Sequence, residues 1–332
     1  MPFLSDNPRE AARHYVPAGE EDTAAMLEKI GLSSLRDLYN HIPAAAFHDG
    51  ELALPDELGY TETQDALSVL AAKNTVRTNF IGDGLPDYSV NPIVPYVCGI
   101  RNLTTAYTPY QPERSQGTLI THWIYQCGLT QLTGFEAINS SLYDRATALF
   151  EAICCALRLS RKADTALVAG NIYPGDIEVL ETLIPETNIN IEYIPADPAT
   201  GRLDVAKVQA RAAELGDKVA AVAFPQVNNL GLLEDVDALT DAVHAAGSLA
   251  IAIIDPILLS EGGLQPPSEF GETGADIIVG EAQHLAIAPN FGGPGLGLFG
   301  VRHNDKVKNH VRATPGRYVG LAKDNAGRDC VV

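Results

Sequence analysis

Lysine is scarce in this sequence. The chain of 332 residues holds eight: Lys29, Lys73, Lys162, Lys207, Lys218, Lys306, Lys308 and Lys323. None lies between Lys73 and Lys162, or between Lys218 and Lys306. Lys and Arg together number 23 against 42 Asp and Glu, a formal net charge of −19 at pH 7. Such a balance denies the chain the broad basic face that phosphate backbones require, so no nucleic acid partner is expected. Anionic membrane surfaces are disfavoured for the same reason. Long apolar runs are missing too. Stretches such as Leu249 to Ile254 fall far short of the roughly 20 residues a membrane helix needs, so no membrane association is expected. Met1 to Arg13 lacks the basic-then-apolar pattern of a signal peptide.

Cysteines are few: Cys98, Cys127, Cys154, Cys155 and Cys330. Their spacing fits neither a zinc site nor a disulfide framework. Cys154 and Cys155 sit in an apolar helical run, 150–159, where a reduced thiol behaves as a small hydrophobe. A cytoplasmic, reducing location is the simplest expectation. The eight histidines form no cluster in the sequence, and no metal site is assigned. His244 reads as a cation at a helix end. No Gly-x-Ser-x-Gly elbow is present, and no cysteine has an evident partner for nucleophilic catalysis.

What is present is a globular pattern, with 46% hydrophobic and 20% charged residues. The length allows one large domain or two ordinary ones. Residues 17–45 read as a helical lead-in. Glu20, Glu21 and Asp22 favour a helix start, and Gly31 ends that helix. Ser33 and Ser34 can cap a second short helix that stops before Ile42-Pro43. A further helix is expected over 62–73. Residues 79–117, rich in Gly, Pro and Tyr, show little periodicity and read as a long irregular segment, of the kind that is functional when ordered.

From Thr118 the pattern becomes regular. Helices are expected over 118–133, 146–159, 173–183, 205–215 and 236–246. Strands are expected over 165–169, 189–194, 219–224, 249–254, 277–279 and 297–301. Near-continuous apolar strands alternating with helices indicate a parallel sheet covered on both faces. Cys330-Val331-Val332 reads as the start of a strand, which makes a fragment or a shortened gene product an open expectation.

Ligands of open α/β sheets collect at the carboxyl ends of the strands, and the residues there offer paired readings. Asp255, after the strand 249–254, can hold a protonated ring nitrogen or simply cap the next turn. Asp144, before Arg145 and Thr147, can open a phosphate-binding helix start or act as its N-cap; capping is favoured. The glycine-rich run Phe291 to Gly297 lacks the Lys-Ser/Thr of a Walker loop. It is either a tight interstrand turn or a close backbone approach to a ligand. The most distinctive segment is Thr104-Thr105-Ala106-Tyr107-Thr108-Pro109-Tyr110-Gln111-Pro112-Glu113. Two prolines stiffen it and two tyrosines present amphipathic rings. It suits either a packed surface strap or a contact with substrate or a second subunit.

The run from Leu103 through that strap to Arg114-Ser115-Gln116-Gly117 resembles a signature of the glycine cleavage system P protein, the pyridoxal-phosphate-dependent, decarboxylating glycine dehydrogenase. The likeness is to subunit 1, the N-terminal half in two-chain versions. It extends through Tyr15-Val16-Pro17, Ser141-Leu142-Tyr143-Asp144, Ala146-Thr147-Ala148, Gly231-Leu232-Leu233-Glu234-Asp235, Asp276 to Glu281 and Phe291 to Gly297. It implies an α/β, fold-type I pyridoxal-phosphate transferase-like architecture. This would comprise a helical lead-in (1–78), an irregular strap at a subunit interface (79–117), a large domain (118–302) and the beginning of an incomplete C-terminal domain (303–332). It also implies a heterotetramer of paired chains.

In that family a lysine forms the Schiff base with pyridoxal phosphate, and the cofactor serves as an electron sink. Glycine loses CO₂, and its aminomethyl group passes to the lipoyl arm of H protein. The lysine position aligns with His284 here, so the resemblance implies no catalytic residue in this chain. The cofactor would be held covalently by a lysine-bearing subunit 2. Asp144, Arg145, Thr147, Asp255 and His284 would then mark a cofactor-like pocket, a remnant of a duplicated fold. Tyr107, Thr108, Tyr110, Gln111, Glu113 and Gln116 would be interface or substrate-side residues. Arg145 stands where the family has a small residue, and Val227-Asn228 where it has Pro-Asn. The alternative is a non-catalytic interaction or regulatory pseudo-enzyme of the same fold.

Overall fold

A computed structural model describes residues 19–332 apart from 49, 51, 52, 79, 81, 83–87, 161 and 306. The expected opening of the lead-in at Pro17 and the Tyr15–Pro17 part of the resemblance lie outside the described residues. The chain divides into two compact units, Met1–Thr78 and Asn79–Val332.

In the first unit, helix α1 (Glu20–Lys29) has three acids in its first turn and Lys29 in its last, complementing the helix dipole at both ends. Gly31, at φ +76°, follows its end. The second expected helix is a 3₁₀ turn, Leu35–Tyr39. Asp37 gathers bonds from Ser33 N, Ser33 Oγ and Ser34 N at 3.0, 2.9 and 2.8 Å. Those bonds hold its carboxyl below the usual range. Helix α2 covers Tyr60–Ala71.

The second unit is built on a seven-stranded sheet. Helix α3 is Ile93–Cys98, α4 is Gln116–Thr133, α5 is Arg145–Leu159, α6 is Pro174–Leu183, α7 is Val205–Leu215 and α8 is Val236–Ala245. The strands are β1 (Ala137–Ile138), β2 (Thr165–Ala169), β3 (Asn190–Ile194), β4 (Val219–Pro225), β5 (Leu249–Ile254), β6 (Ile277–Glu281) and β7 (Gly297–Val301). Their order is β1-β7-β6-β5-β4-β2-β3. The five strands from β3 to β6 are parallel.

Two features depart from expectation. β7 pairs antiparallel with β6, and β1 antiparallel with β7. A parallel neighbour needs a crossover that carries the chain back along the sheet. The connection 282–296 contains only two short 3₁₀ turns, so the chain reverses and pairs directly. The segment 79–117 also contains α3 and a 3₁₀ turn at Arg101–Leu103. A helix as short as Ile-Val-Pro-Tyr-Val-Cys, with a proline inside it, leaves no periodicity to read.

α5 carries the central packing. Ala148, Leu149, Ala152, Ile153, Cys155 and Ala156 are fully buried. Their i, i+3/i+4 recurrence makes one apolar stripe that lies on the sheet. All five cysteines are free thiols, and burial pushes Cys155 up to about 11. At the C-terminal side, β8 (Leu321–Lys323) and β9 (Asp329–Val331) form a separate antiparallel hairpin. Cys330 and Val331 thus lie in a strand, as read from the sequence; the partner strand, at three residues, is too short to announce itself. Val331 joins Leu119, Val319 and Trp123 in a small second core.

Candidate functional site

At the carboxyl ends of β4, β5 and β6 lies a pocket of ≈ 380 Å³ whose lining includes Arg145, Tyr173, Asp176, Asp255, Glu281 and His284. His284 stands in the 3₁₀ turn that follows β6, with its side chain only 6% exposed. Its Nε2 lies 2.8 Å from Asp255 Oδ1. Asp255 also accepts a bond from Ile257 N at 3.0 Å, so it caps the next turn, as one of the two readings had it, and at the same time bonds the His284 imidazole. That hydrogen bond, with the charges of Asp255 and Glu281, raises the His284 pKa against the opposing effect of burial. Tyr88 sets its ring edge-on to His284 at 5.9 Å and donates to Ile287 O at 2.7 Å.

Arg145 opens α5. Its Nε and Nη2 grip the Asp176 carboxylate at 2.6 and 3.1 Å, and its guanidinium lies 4.4 Å from the Tyr173 ring centroid. Burial, with the charges of Asp144 and Glu281, pushes the Asp176 carboxyl up against the opposing pull of Arg145. Asp144 behaves as an N-cap: its Oδ1 accepts from Thr147 N at 2.8 Å and Thr147 Oγ1 at 2.9 Å. The capping reading is therefore the one realised.

Glu281, the last residue of β6, is the group sequence reasoning missed. Its Oε1 accepts from Leu296 N at 2.7 Å and Gln283 N at 2.9 Å. Its Oε2 accepts from Arg145 N, at the start of α5, at 3.3 Å. One carboxylate thus ties the glycine-rich turn to the helix start. A Cβ at Gly297 would run into the backbone of Asp144, and Gly297 exchanges bonds with Leu142 at 2.8 and 3.0 Å. The close approach made by the glycine-rich run is therefore to the chain's own backbone. The visible hint at Glu281 was an acid ending an apolar strand. Nothing local pointed to its partner 136 residues away. Asp176, likewise unassigned from sequence, is 31 residues from Arg145.

The rim of this pocket is held by a buried polar network. Glu234 Oε1 accepts from Asn171 and Asn228 Nδ2 at 2.6 and 2.8 Å, and its Oε2 accepts from Leu203 N at 2.9 Å. Asp235 caps α8. The run Gly231 to Asp235 is thus accounted for by loop architecture.

The strap lies elsewhere in the same unit, and none of its six named residues lines this pocket. Thr105 Oγ1 accepts from Gly117 N and Thr118 N at 3.0 and 3.3 Å, and Thr121 donates to Leu103 O at 3.0 Å. Tyr107, Tyr110, Gln111 and Glu113 are exposed, while Thr108 is half-buried. Gln116 is different. Its Nε2 donates to Pro112 O and Val331 O at 2.8 Å each, and its Oε1 accepts from Val331 N at 3.0 Å. Its amide is a clamp between the strap and β9.

Comparison with known proteins bears on this geometry. A family model described as glycine cleavage system P-protein matches residues 13–332. The chain belongs to that family. It is 37% identical over 317 residues to the probable glycine dehydrogenase (decarboxylating) subunit 1 of Thioalkalivibrio sulfidiphilus, covering 95% of this chain and 68% of that one. A crystal structure of glycine decarboxylase (P-protein) of the glycine cleavage system, in inhibitor-bound form, superposes with a TM-score of 0.81 at 35% identity, covering 96% of this chain and 68% of that one. A sphingosine-1-phosphate lyase of Burkholderia pseudomallei shares the fold at a TM-score of 0.57 and 12% identity, over 87% of this chain and 67% of that one. The architecture is that of fold-type I pyridoxal-phosphate-dependent enzymes.

The residues of the P-protein pocket in this chain do not fit pyridoxal phosphate. No lysine lines it. The Arg145 amide is bonded to Glu281 and the Arg145 guanidinium to Asp176. Asp255, the acid available to a ring nitrogen, is bonded to His284. Three carboxylates line the cavity, and a phosphate dianion among them would meet repulsion of several kcal/mol at ~4–6 Å in a partly buried site. Among the described residues no group of three or more His, Cys, Asp or Glu is placed to hold a metal. No helix of the described residues is long and apolar enough to cross a membrane.

Proposed function

We propose that this chain is the lysine-free subunit 1 of a two-chain glycine decarboxylase of the glycine cleavage system. In this reading a lysine-bearing subunit 2 holds pyridoxal phosphate covalently. The assembled enzyme removes CO₂ from glycine and passes the aminomethyl group to the lipoylated H protein. The pair His284–Asp255 carries the reading: an imidazole, bonded to the acid that would otherwise serve a pyridine nitrogen, stands where the cofactor-bearing chain needs an amine. Glu281 and Asp176 support it by occupying the amide and the guanidinium at the α5 start. The pocket is then a structural part of this subunit, and the subunit is inactive alone.

The contribution assigned to this chain is binding and orientation. Tyr107, Tyr110, Gln111 and Glu113 project from a backbone fixed by Pro109 and Pro112, and Thr108 lies between them. Such a surface, stiff and rich in aromatic and amide groups, suits a subunit contact that borders the partner's site. The proposed organisation is a helical lead-in (1–78), the strap (79–117), the large domain (118–302) and a C-terminal element from 303. The proposed compartment is the cytoplasm, consistent with five free thiols.

The test is reconstitution. This chain, a lysine-bearing second subunit and H protein, combined, should exchange labelled CO₂ into the carboxyl group of glycine, and either subunit alone should not. Exchange by this chain alone, or none from the combination, would overturn the proposal.

A further inference from the structure

A second cleft, open and of ≈ 680 Å³, is bordered by Pro109 and Tyr110 of the strap, His122 of α4, the turn Ser140-Ser141 and the segment Gly316–Tyr318. Among the described residues its lining contains no carboxylate, in a chain with 42 Asp and Glu. Among the described residues, four polar atoms on this lining are buried and have no hydrogen-bond partner: Arg317 Nε, Ser140 Oγ, His122 Nδ1 and the Tyr318 hydroxyl. Buried polar groups are almost always paired, so four such atoms on one cleft are a pattern. Arg317 forms no ion pair among the described residues, and its guanidinium lies 5.7 Å from the Tyr110 ring centroid.

The scaffold fixes these groups from behind. Ser140 N donates to Arg317 O at 2.8 Å. Gln126 Oε1 accepts from Val319 N at 3.1 Å, and Asn139 Nδ2 reaches Pro315 O at 3.4 Å. Gly316 adopts φ +75°, and a Cβ there would press on Asn139. Ser141, on the cleft wall, holds φ +142°; a non-glycine residue rarely does so, and such strain concentrates at binding sites. Burial and the Arg317 charge lower the His122 pKa, consistent with a guanidinium close to the imidazole and no anion between them.

We propose that this cleft is an oxyanion site, taking a carboxylate or phosphate group of a small ligand. Arg317 supplies the charge and a fixed N–H, Ser140 supplies a hydroxyl, and His122 supplies a ring nitrogen. Tyr110 of the strap, its ring 5.7 Å from the guanidinium, borders the cleft, which places the site beside the segment proposed above to meet substrate or partner. A cation is excluded by Arg317, and an apolar ligand would leave all four polar atoms unpaired. The site stands on this cleft alone and does not depend on the decarboxylase reading.

The test uses the full chain by itself at constant ionic strength. Inorganic phosphate and, separately, acetate and glycine are titrated while the imidazole ¹⁵N signals of His122, assigned with His122→Asn, are followed. A saturable shift with phosphate identifies a phosphate-bearing ligand; one with acetate or glycine identifies a carboxylate. Either supports the proposal, provided Arg317→Gln weakens binding by about tenfold or more and Arg317→Lys keeps part of it. Circular dichroism confirms folding; if Arg317→Gln unfolds, Arg317→Lys and Ser140→Ala carry the comparison. No saturable shift with any of the three anions, or folded variants that titrate like the parent, would overturn it.

Discussion

The two cavities of the large unit are opposites. The pocket at the strand ends is the one this fold is built to present, yet its charged groups are matched internally: His284 with Asp255, Arg145 with Asp176, and Glu281 with three backbone amides. The cleft under the strap is bordered by Ser140-Ser141, just past the end of β1, and there Arg317, Ser140 and His122 each keep a buried atom unpaired. A fold-level rule locates where a ligand could sit; the hydrogen-bond inventory says whether the place is taken. In the first cavity the charged groups are satisfied by the chain itself, although Asn229 Oδ1 on its wall is buried and unpaired, while in the second the unpaired groups include a guanidinium.

The sharpest contrast is in stability. Asp176→Ala leaves the Arg145 guanidinium, 16% exposed, without its partner. It should lower the free energy of unfolding by about 3–5 kcal/mol in urea titrations, the range seen when one member of a buried pair is removed. A loss below about 1 kcal/mol would mean the pairing is not structural. Glu281→Ala orphans the amides of Arg145, Gln283 and Leu296, and about 2–3 kcal/mol should be lost by the same measurement. Removing Arg317 is the opposite case. It pairs with no carboxylate among the described residues, so Arg317→Gln should shift stability by no more than about 0.5 kcal/mol. A large loss there would erase the distinction between the two cavities.

Between those extremes is a pH effect. The His284 pKa is raised by Asp255, so the folded state binds this proton more tightly than the unfolded chain. The associated stability is present in full below about 6.5, the ordinary histidine value. It is lost as pH rises through the folded value. Asp255→Asn should flatten that part of the urea midpoint against pH and return the His284 titration toward its ordinary range. An unchanged titration by NMR would rule out the pairing. His244, raised chiefly by its hydrogen bond to Asp276 at 2.8 Å, contributes the same sign and remains in the variant as background. The smallest structural effect belongs to the strap. Tyr107 is fully exposed, so Tyr107→Ala should leave folding unchanged while slowing glycine–CO₂ exchange by the reconstituted enzyme. Unaltered exchange would remove Tyr107 from the site.

Which of these features could be read from the sequence follows from distance along the chain. The strands from β2 to β6 and the helix α5 announced themselves because continuous apolar runs and an i, i+3/i+4 stripe are local patterns. The direction of β7 did not, since it depends on whether a helix intervenes after β6 and not on the strand's own residues. α3 was hidden by its length and by Pro95. At the site, His284 and Asp255 were found as types at positions. Their mutual bond was not, nor was the commitment of Glu281 and Asp176, because those pairings join segments far apart in the sequence. Arg317 is farther still in the sequence from His122 and Ser140. Only the Tyr110 beside them belonged to a segment distinctive enough to single out.

The account rests on this chain being the half that carries no cofactor. The complex reconstituted from both subunits and pyridoxal phosphate can be reduced with borohydride and each chain weighed by mass spectrometry. The account predicts the added pyridoxyl mass on the lysine-bearing subunit alone, with this chain unmodified at its sequence mass. A pyridoxyl adduct on any lysine of this chain, at the stoichiometry of the partner, would contradict it.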